Sequence, residues 1–411
     1  MQNNNLQPLK GFRDFLPTEK RRRDFVANAI KLAFERFGFE PLETPTLEYA
    51  SLLLGKYGDE ADKLVYSFTD RGDRQVALRY DQTVPTARVL AQYRSELPKY
   101  FRRYQIQNVF RADKPQQRRY REFTQCDCDI FDSTSPLADA EILAVFASVY
   151  QELGFGEFVI EVNDRASLIA AIEPFATETV STMSIIQTID KLDKQTEQEV
   201  ITELVTKGLT QDAAADVLSS IAKQQPSTAL QTIIDDAIAL GVPKDLIKFN
   251  PALARGLDYY TGLIFEGKVN GFSGSVGAGG RYDKLIEQLS GVSIPAVGFG
   301  IGFDRTVEVA NELNLLPENL NTTKVLVTLF DETTQAESLK IATALRNNNV
   351  PTEVYPTLEK LGKQFKYADQ KGIPYVIIIG SDERSLGKVT LKNMATGEQQ
   401  LLDPLEVSQK I

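Results

Sequence analysis

The sequence of 411 residues contains no histidine. Nucleophile systems that pair serine or cysteine with histidine, histidine-ligated zinc sites and histidine general bases are therefore all excluded. Any chemistry must use carboxylates, arginine, lysine, tyrosine, backbone amides or an oxygen-bound metal. This restriction favours phosphoryl or nucleotidyl chemistry, in which catalysis consists mostly of positioning and charge neutralisation.

The chain has only two cysteines, no long apolar run and no excess of positive charge. Two cysteines cannot build a disulfide framework, so we expect a cytoplasmic protein in a reducing environment. No apolar run approaches the ~20 residues that span a bilayer, and the polar start MQNNNLQPLK resembles neither a signal nor a transit peptide. We therefore expect no membrane association. The net charge of −10 excludes a general basic coat for nucleic acid but leaves room for a local basic patch.

The chain length predicts two or three domains of about 150 residues each. Residues 1–166 mix strand-like runs and helical stretches without regular alternation, which predicts the first part of an antiparallel α+β core. Residues 167–248 are poor in glycine and helical in period, which indicates an inserted helical module. Glycine returns in residues 249–318, the second part of the core. Residues 323–411 alternate strand and helix, which predicts a small α/β domain with largely parallel pairing.

A basic segment stands out in this acidic chain. Lys99–Arg121 holds eight basic residues, interleaved aromatic side chains and a single acidic residue, Asp113. Such a run is most often a solvated surface. Arg111, however, directly follows Val109 and Phe110, so we place it on a half-buried strand and interpret the segment as part of a site.

The next segment, Glu122–Phe131, alternates like a strand with two different faces. One face carries an amide and two carboxylates, Gln125, Asp127 and Asp129. Gln125 and Asp129 would lie roughly 13 Å apart at about 3.3 Å per residue, a spacing that could hold both ends of an amino-acid-sized ligand. The alternative is a solvent-facing strand. The opposite face holds the Cys126-x-Cys128 pair, which we assign to the core because no histidine or further cysteine could complete a metal site.

Two glycine-rich stretches are weaker signals. Gly277–Gly280 resembles a phosphate loop only loosely, because no strand–GxGxxG–helix unit surrounds it. The Gly298-x-Gly300-x-Gly302 stretch could be a close-packed junction between a strand and a helix.

Together these segments resemble the histidyl-tRNA synthetase family of class II aminoacyl-tRNA synthetases over nearly the whole chain. FGFEPLETPTLEYA is similar to the class II dimer-interface motif, the stretch from Phe110 to Phe123 to the second motif, and GFGIGFDR, ending at Arg305, to the third. LRYDQTVP and ARGLDYYTG, at residues 78–85 and 254–262, are similar to strings of the histidyl branch. Residues 358–380 resemble its anticodon-binding domain. The resemblance implies a class II antiparallel-sheet core with a helical insertion, plus a C-terminal α/β anticodon-binding domain.

The resemblance also implies an activity and a site. The chain would activate L-histidine with ATP to histidyl-adenylate and transfer it to the 3′ end of tRNA(His), as a homodimer, with Mg²⁺ accompanying ATP and no histidine or cysteine metal ligand. Catalysis would rest on Arg255 and Arg111. The histidine-binding residues would be Asp81, Thr83, Arg111, Gln125, Asp129, Arg255, Tyr259 and Tyr260. The ATP-binding residues would be Arg111, Arg119, Arg121, Gly279 and Arg305.

Two alternatives to a synthetase remain. One is a catalytically inactive paralogue that serves as the regulatory subunit of ATP phosphoribosyltransferase in histidine biosynthesis, which is expected to lack the anticodon domain and the ATP-binding arginines. The other is a non-enzymatic tRNA sensor. The presence of Arg111, Arg255 and Arg305, and of residues 324–411, favours the synthetase.

Overall fold

The structure is a computed structural model that describes residues 6–54, 64–113, 120–254 and 259–411. The chain divides into two compact units, one of residues 1–14 and 23–316 and the other of residues 15–22 and 317–411. Among the described residues, no helix has both the length and the apolar character that crossing a membrane requires.

The elements are numbered in chain order. The strands are β1 (Glu40–Pro41), β2 (Leu47–Tyr49), β3 (Ser67–Thr69), β4 (Gln75–Leu78), β5 (Arg102–Phe110), β6 (Glu122–Phe131), β7 (Phe158–Asp164), β8 (Ile247–Phe249), β9 (Leu263–Val269), β10 (Ser275–Arg281), β11 (Ala296–Gly302), β12 (Val325–Val327), β13 (Thr352–Val354), β14 (Tyr375–Ile378), β15 (Val389–Asn393) and β16 (Gln399–Leu402). The helices are α1 (Pro17–Arg36), α2 (Ala50–Leu53), α3 (Thr83–Gln92), α4 (Pro136–Glu152), α5 (Arg165–Ile172), α6 (Thr182–Ile189), α7 (Glu197–Lys207), α8 (Gln211–Ala222), α9 (Thr228–Ala239), α10 (Leu285–Ser290), α11 (Phe303–Glu312), α12 (Gln335–Asn347), α13 (Leu361–Lys371), α14 (Ser381–Leu386) and α15 (Val407–Lys410).

A large sheet organises the first unit. Its strand order is β1-β5-β6-β11-β10-β9-β7-β8, and the pairing is antiparallel from β5 through β7. Parallel pairs stand at its two edges, between β1 and β5 and between β7 and β8. The predicted antiparallel α+β core is therefore confirmed.

Helix α4 packs its apolar side on one face of this sheet. The ring of Phe146 lies 5.1 Å from that of Phe265 on β9 and 5.0 Å from that of Phe299 on β11, in edge-to-face contacts. The helix begins at Pro136. Pro136 takes the first helical turn, and the Ser135 hydroxyl accepts a hydrogen bond from the Leu137 amide at 3.3 Å.

The helical module has its own small core. Helices α5 to α8 bury apolar residues against one another, among them Leu168, Ile185, Leu204 and Val217. A capping box between Thr196 and Glu199 starts α7. Helix α9 differs, because its buried residues belong to the main core around the large sheet rather than to the core of the module.

A separate three-stranded sheet, in the order β2-β4-β3, precedes the basic segment. It leaves three large apolar side chains exposed: Leu47 at 40%, Tyr49 at 60% and Phe68 at 48%. Leu47 and Tyr49 belong to the segment that resembles the class II dimer motif.

The second unit contains a five-stranded sheet in the order β13-β12-β14-β15-β16. The pairs among β13, β12 and β14 are parallel, as predicted, whereas β14-β15 and β15-β16 are antiparallel. The prediction of largely parallel pairing is therefore wrong for half of this sheet. The connection between β15 and β16 is too short for a parallel crossover and turns through Gly397, whose φ is +76°.

Candidate active site

Strand β6 builds the floor of the candidate site. Its even positions, Cys126, Cys128 and Ile130, are buried in the main core. Its odd positions, Gln125, Asp127 and Asp129, line a cavity on the opposite face of the sheet. The strand occupies the predicted range Glu122–Phe131, and the alternation predicted from sequence is observed.

The cavity has a volume of about 450 Å³, a size suited to a small ligand. Strand β6 forms the floor of this cavity. Its walls are formed by the start of α3, the Tyr259–Tyr260 pair, β10 and β11. The predicted histidine-binding residues that line it are Asp81, Thr83, Arg111, Gln125, Asp129, Tyr259 and Tyr260, and Gly279 lines it as well. The structure thus brings these predicted residues together.

Glycines let β11 pass close to the two carboxylates. A Cβ placed on Gly298 would lie 1.9 Å from Asp129 Oδ1, and one on Gly300 would lie 3.0 Å from Asp127 Oδ1. Each glycine is the cross-strand partner of the carboxylate it faces. The Gly298-x-Gly300 spacing therefore follows the two-residue period of β6 and leaves space for both acids.

Asp129 is held from two sides. Arg103, directly opposite on β5, places its Nη2 2.6 Å from Asp129 Oδ2, and the Tyr282 hydroxyl donates a hydrogen bond to Oδ1. Arg103 is 1% exposed. Burial raises the pKa of Asp129, while the Arg103 guanidinium and the Tyr282 hydroxyl lower it.

Two further carboxyls crowd the same cavity. Burial raises the pKa of Asp81 to about 6, against a hydrogen bond from the Val84 amide that lowers it. Burial also raises the pKa of Asp127 to about 7; Arg103 lowers it, and the neighbouring acids Asp129 and Asp81 raise it further. A cavity with several desolvated carboxylates favours a ligand that brings positive charge.

The aromatic wall is continuous. The rings of Tyr259 and Tyr260 lie 4.5 Å apart, and Tyr259 meets Tyr282 edge-to-face at 6.2 Å. Gly280 permits this packing, since a Cβ there would lie 2.9 Å from the Tyr260 ring. Burial raises the pKa of Tyr259, so its hydroxyl stays protonated near neutral pH.

A second cavity of about 490 Å³ adjoins the first. The two share Arg111, Gln125, Ala278 and Gly300 in their walls. Arg305 lines the second cavity. Because the shared residues mark the junction, a ligand in one cavity can meet a ligand in the other beside Arg111.

Two arginines line the second cavity in different ways. The Nε of Arg111 donates to the Tyr80 carbonyl at 3.0 Å, and its guanidinium carbon lies 5.1 Å from the centre of the Phe123 ring. Arg305 follows Asp304, whose Oδ1 lies 2.6 Å from nitrogens of both Arg13 and Arg23. These contacts fix the first turn of α11, from which Arg305 extends.

Not every predicted residue lines these cavities. The guanidinium of Arg121 donates to the carbonyls of Asp113, at 2.9 Å, and Lys10, and Arg121 lines neither cavity. Arg119 and Arg255 lie outside the described residues. We predicted no role for Arg103 from the sequence, because its pairing with Asp129 depends on the register between β5 and β6.

The family follows from a comparison with known proteins. A family model described as histidyl-tRNA synthetase matches residues 11–306, well over half of the chain. The chain belongs to the histidyl-tRNA synthetase family. A second model, described as an anticodon binding domain, matches residues 324–411.

Relatives of this histidyl-tRNA synthetase family member align over nearly its full length. It is 39% identical to the histidine–tRNA ligase of Wolinella succinogenes, with 98% of this chain and 97% of the relative covered. It is 38% identical to that of Cytophaga hutchinsonii, with 95% and 96% covered. The crystal structure of histidyl-tRNA synthetase from a Nostoc species superposes with a TM-score of 0.89 at 29% identity, covering 99% and 98% of the two chains.

These findings confirm the predicted fold class and the predicted aminoacyl-tRNA synthetase. ATP is a substrate of the synthetase family. A structure titled as an ATP phosphoribosyltransferase regulatory subunit/histidyl-tRNA synthetase, from Bacillus halodurans, shares the fold at 21% identity with a TM-score of 0.71. The anticodon binding domain at residues 324–411 fits a synthetase rather than the regulatory paralogue.

Proposed function

We propose that this chain is a histidine–tRNA ligase that forms histidyl-adenylate from L-histidine and ATP and transfers the histidyl group to the 3′ end of tRNA(His). The observation that carries this proposal is the full-length similarity to histidine–tRNA ligases, at 38–39% identity. Two adjoining cavities, one rich in carboxylates and one lined by Arg305, support it.

The first cavity would bind histidine. Asp81 and Thr83, at the start of α3, would hold the α-amino group, with Gln125 assisting. Gln82 supports this arrangement, because its side-chain amide donates to the main-chain carbonyls of Gln107 and Gln125, both at 3.1 Å, and so fixes the start of α3 to the sheet. Asp129 and Tyr260 would contact the imidazole nitrogens, with Tyr259 beside them.

The second cavity would bind ATP, with its α-phosphate at the junction. Arg111 would contact the α-phosphate and the histidine carboxylate, and Arg305 the far end of the nucleotide. Arg119 and Gly279 would also contact ATP, and Arg255 would lie at the reacting carboxylate and α-phosphate. Arg121 was also predicted to bind ATP. Because its guanidinium donates to the backbone carbonyls of Asp113 and Lys10, we propose that it holds the N-terminal segment in place.

This arrangement suits adenylation without a protein nucleophile. The substrate carboxylate attacks the α-phosphorus and pyrophosphate leaves, so the protein has only to align the reactants and neutralise charge. Arginine guanidinium groups bind phosphate and carboxylate oxygens in pairs and do not lose their charge at neutral pH. A chain without histidine can therefore carry out the complete reaction.

Mg²⁺ would accompany ATP. Among the described residues, no group of three or more cysteine, aspartate and glutamate side chains is arranged to hold a metal. Magnesium in nucleotide sites is bound chiefly by phosphates and water, with one or two carboxylates. We therefore propose that the ion enters with the nucleotide and adds positive charge at the phosphates.

We further propose that the ligase is a cytoplasmic homodimer. The exposed apolar side chains of Leu47, Tyr49 and Phe68 on one small sheet would supply the subunit interface. The anticodon binding domain at residues 324–411 would contact tRNA.

The deciding experiment is histidine-dependent exchange of pyrophosphate into ATP, followed by charging of tRNA(His) with labelled histidine. A ligase performs both reactions. A regulatory paralogue or a tRNA sensor performs neither. Absence of both reactions would therefore overturn this proposal.

A further inference from the structure

Asp127 is a buried acid whose function the site described above leaves open. Asp127 is 7% exposed, and its Oδ1 has no hydrogen-bond partner among the described residues. A buried carboxylate oxygen without a donor is costly, because it has lost its water and gained nothing in return. Such an atom calls for an explanation, and in a cavity the simplest one is a ligand.

Neighbouring side chains do not supply the missing donor. Gln105 is the cross-strand partner of Asp127 on β5, but its amide nitrogen donates to the Thr44 hydroxyl at 2.8 Å and to Gln107. Arg103 points its Nη2 to Asp129 at 2.6 Å. On the other side stands Gly300, which contributes no side chain. Asp127 therefore lines the cavity while the capacity of its Oδ1 to accept a hydrogen bond is unused.

The position of Asp127 along the cavity indicates which part of a ligand it would meet. Gln125, two residues earlier, lines both cavities and so stands at the junction. Asp129, two residues later, lines the first cavity alone and accepts a hydrogen bond from the Tyr282 hydroxyl. An amino acid with its carboxylate at the junction and its ring beside Asp129 would place its Cα, and hence its ammonium group, level with Asp127.

Charge favours the same assignment. Asp81, Asp127 and Asp129 line this cavity, and Arg103 is already engaged with Asp129. The raised pKa of Asp127, about 7, reflects the desolvation of a carboxylate that a cation would stabilise. An ammonium group donates up to three hydrogen bonds, so it can serve Asp81 and Asp127 together.

We propose that Asp127 is a further substrate-binding residue, which accepts a hydrogen bond from the α-ammonium group of the amino acid beside Asp81. The inference rests on the proposed function, since it takes histidine as the ligand. It adds a second carboxylate to the amino-group site and separates the task of Asp127 from that of Asp129.

The test compares two ligands that differ only in the amino group. Histidine carries the α-ammonium group, and imidazolepropionate has the same ring and carboxylate without it. Calorimetry measures the binding of each to the full-length wild-type protein, to Asp127→Asn and to the matched variant Asp129→Asn. We expect Asp127→Asn to weaken histidine roughly 10- to 100-fold, the size of one lost hydrogen bond to a charged group, without weakening imidazolepropionate. Asp129→Asn should weaken both ligands alike.

Equal weakening of both ligands by Asp127→Asn, or no change for histidine, would overturn the proposal. If the wild-type protein binds neither ligand, the proposed function itself is wrong, which is a result distinct from the loss of selectivity.

Discussion

Arg103 on β5 and Asp129 on β6 are direct cross-strand partners, and their side chains form a 2.6 Å ion pair beneath the first cavity. The pair is almost fully buried, with side-chain exposures of 1% and 6%. Burial raises the pKa of Asp129, and Arg103 opposes this effect and so favours the carboxylate form, which accepts hydrogen bonds. An imidazole ring, which carries an N–H group, can donate to that carboxylate.

Replacing Arg103 by methionine should destabilise the protein more than removing the whole pair. Removal of one partner from a buried ion pair leaves an uncompensated charge and costs about 3–5 kcal/mol. Arg103→Met should therefore lower the melting temperature strongly, and the double variant Arg103→Met/Asp129→Asn should recover part of the loss. Arg102→Met is the matched control, because the ion pair between Arg102 and Glu141 is partly exposed, with side-chain exposures of 33% and 21%, and solvent screening weakens such a pair. A double variant no more stable than Arg103→Met would contradict this account.

The sequence predicted those site residues whose position depends only on the alternation of side chains along a single strand. Strand β6 has its predicted limits, and its polar face lines the cavity, because side chains alternate at every residue of a strand. The Arg103–Asp129 pair could not be predicted, since it depends on the register between β5 and β6. The antiparallel half of the second sheet was missed for a similar reason, because strand order and direction are set by tertiary packing.

Gly298→Ala should abolish histidine activation. The added Cβ would lie 1.9 Å from Asp129 Oδ1 and 2.6 Å from the Cys128 carbonyl oxygen, so both strand and carboxylate must move. Overpacking of this kind typically costs 1–3 kcal/mol. Pyrophosphate exchange and melting temperature should both fall. Gly156→Ala is the control, because a Cβ at Gly156 meets nothing within 4 Å; equal effects of the two substitutions would refute the steric explanation.

The stability of the ligand-free protein should decrease as the pH rises toward neutrality. Asp127 has a raised pKa of about 7, so the folded protein binds more protons than the unfolded chain between about pH 4 and pH 7. The contribution of Asp127 to the free energy of unfolding is fully present below the pKa of the unfolded chain. It is lost as the pH rises through the pKa of Asp127 in the folded protein. The groups that act on Asp127 are Arg103, Asp129, Asp81 and Arg111. The melting temperature should therefore fall across this window.

Asp127→Asn separates this effect from other titrations. The amide does not ionise, so the variant should show a flatter decline in melting temperature across the same window. Identical pH profiles for the variant and the wild-type protein would assign the titration to another group.

A charged residue in the exposed apolar patch should dissociate the proposed dimer. Tyr49 is 60% exposed on β2, within the segment that resembles the class II dimer motif. Burying an aspartate at a subunit interface leaves an unpaired charge, so Tyr49→Asp should give a monomer in light scattering at micromolar concentration. Tyr100→Asp, at a similarly exposed position outside that sheet, is the control. A wild-type protein that is monomeric and fully active would disprove the dimer.

Arg255 lies in the string most similar to the histidyl branch, between Ala254 and the Tyr259–Tyr260 pair, which the structure describes. Arg165, which is 1% exposed, donates from Nη1 to the Ala254 carbonyl at 3.0 Å. Tyr259 and Tyr260 line the first cavity.

Arg255→Ala should reduce pyrophosphate exchange about 10²- to 10³-fold, because it removes a donor that meets charge developing in the transition state. Arg255→Lys should restore only part of the rate, since an ammonium group cannot bridge two oxygens as a guanidinium does. The melting temperature should change little, and the fall in kcat should exceed any rise in the KM for histidine, because the proposed role lies mainly in the transition state. A purely structural arginine would give the opposite pattern, with a melting temperature lowered by many degrees and a rate within a few-fold of wild type. Measuring exchange and thermal unfolding on the same preparation distinguishes the two.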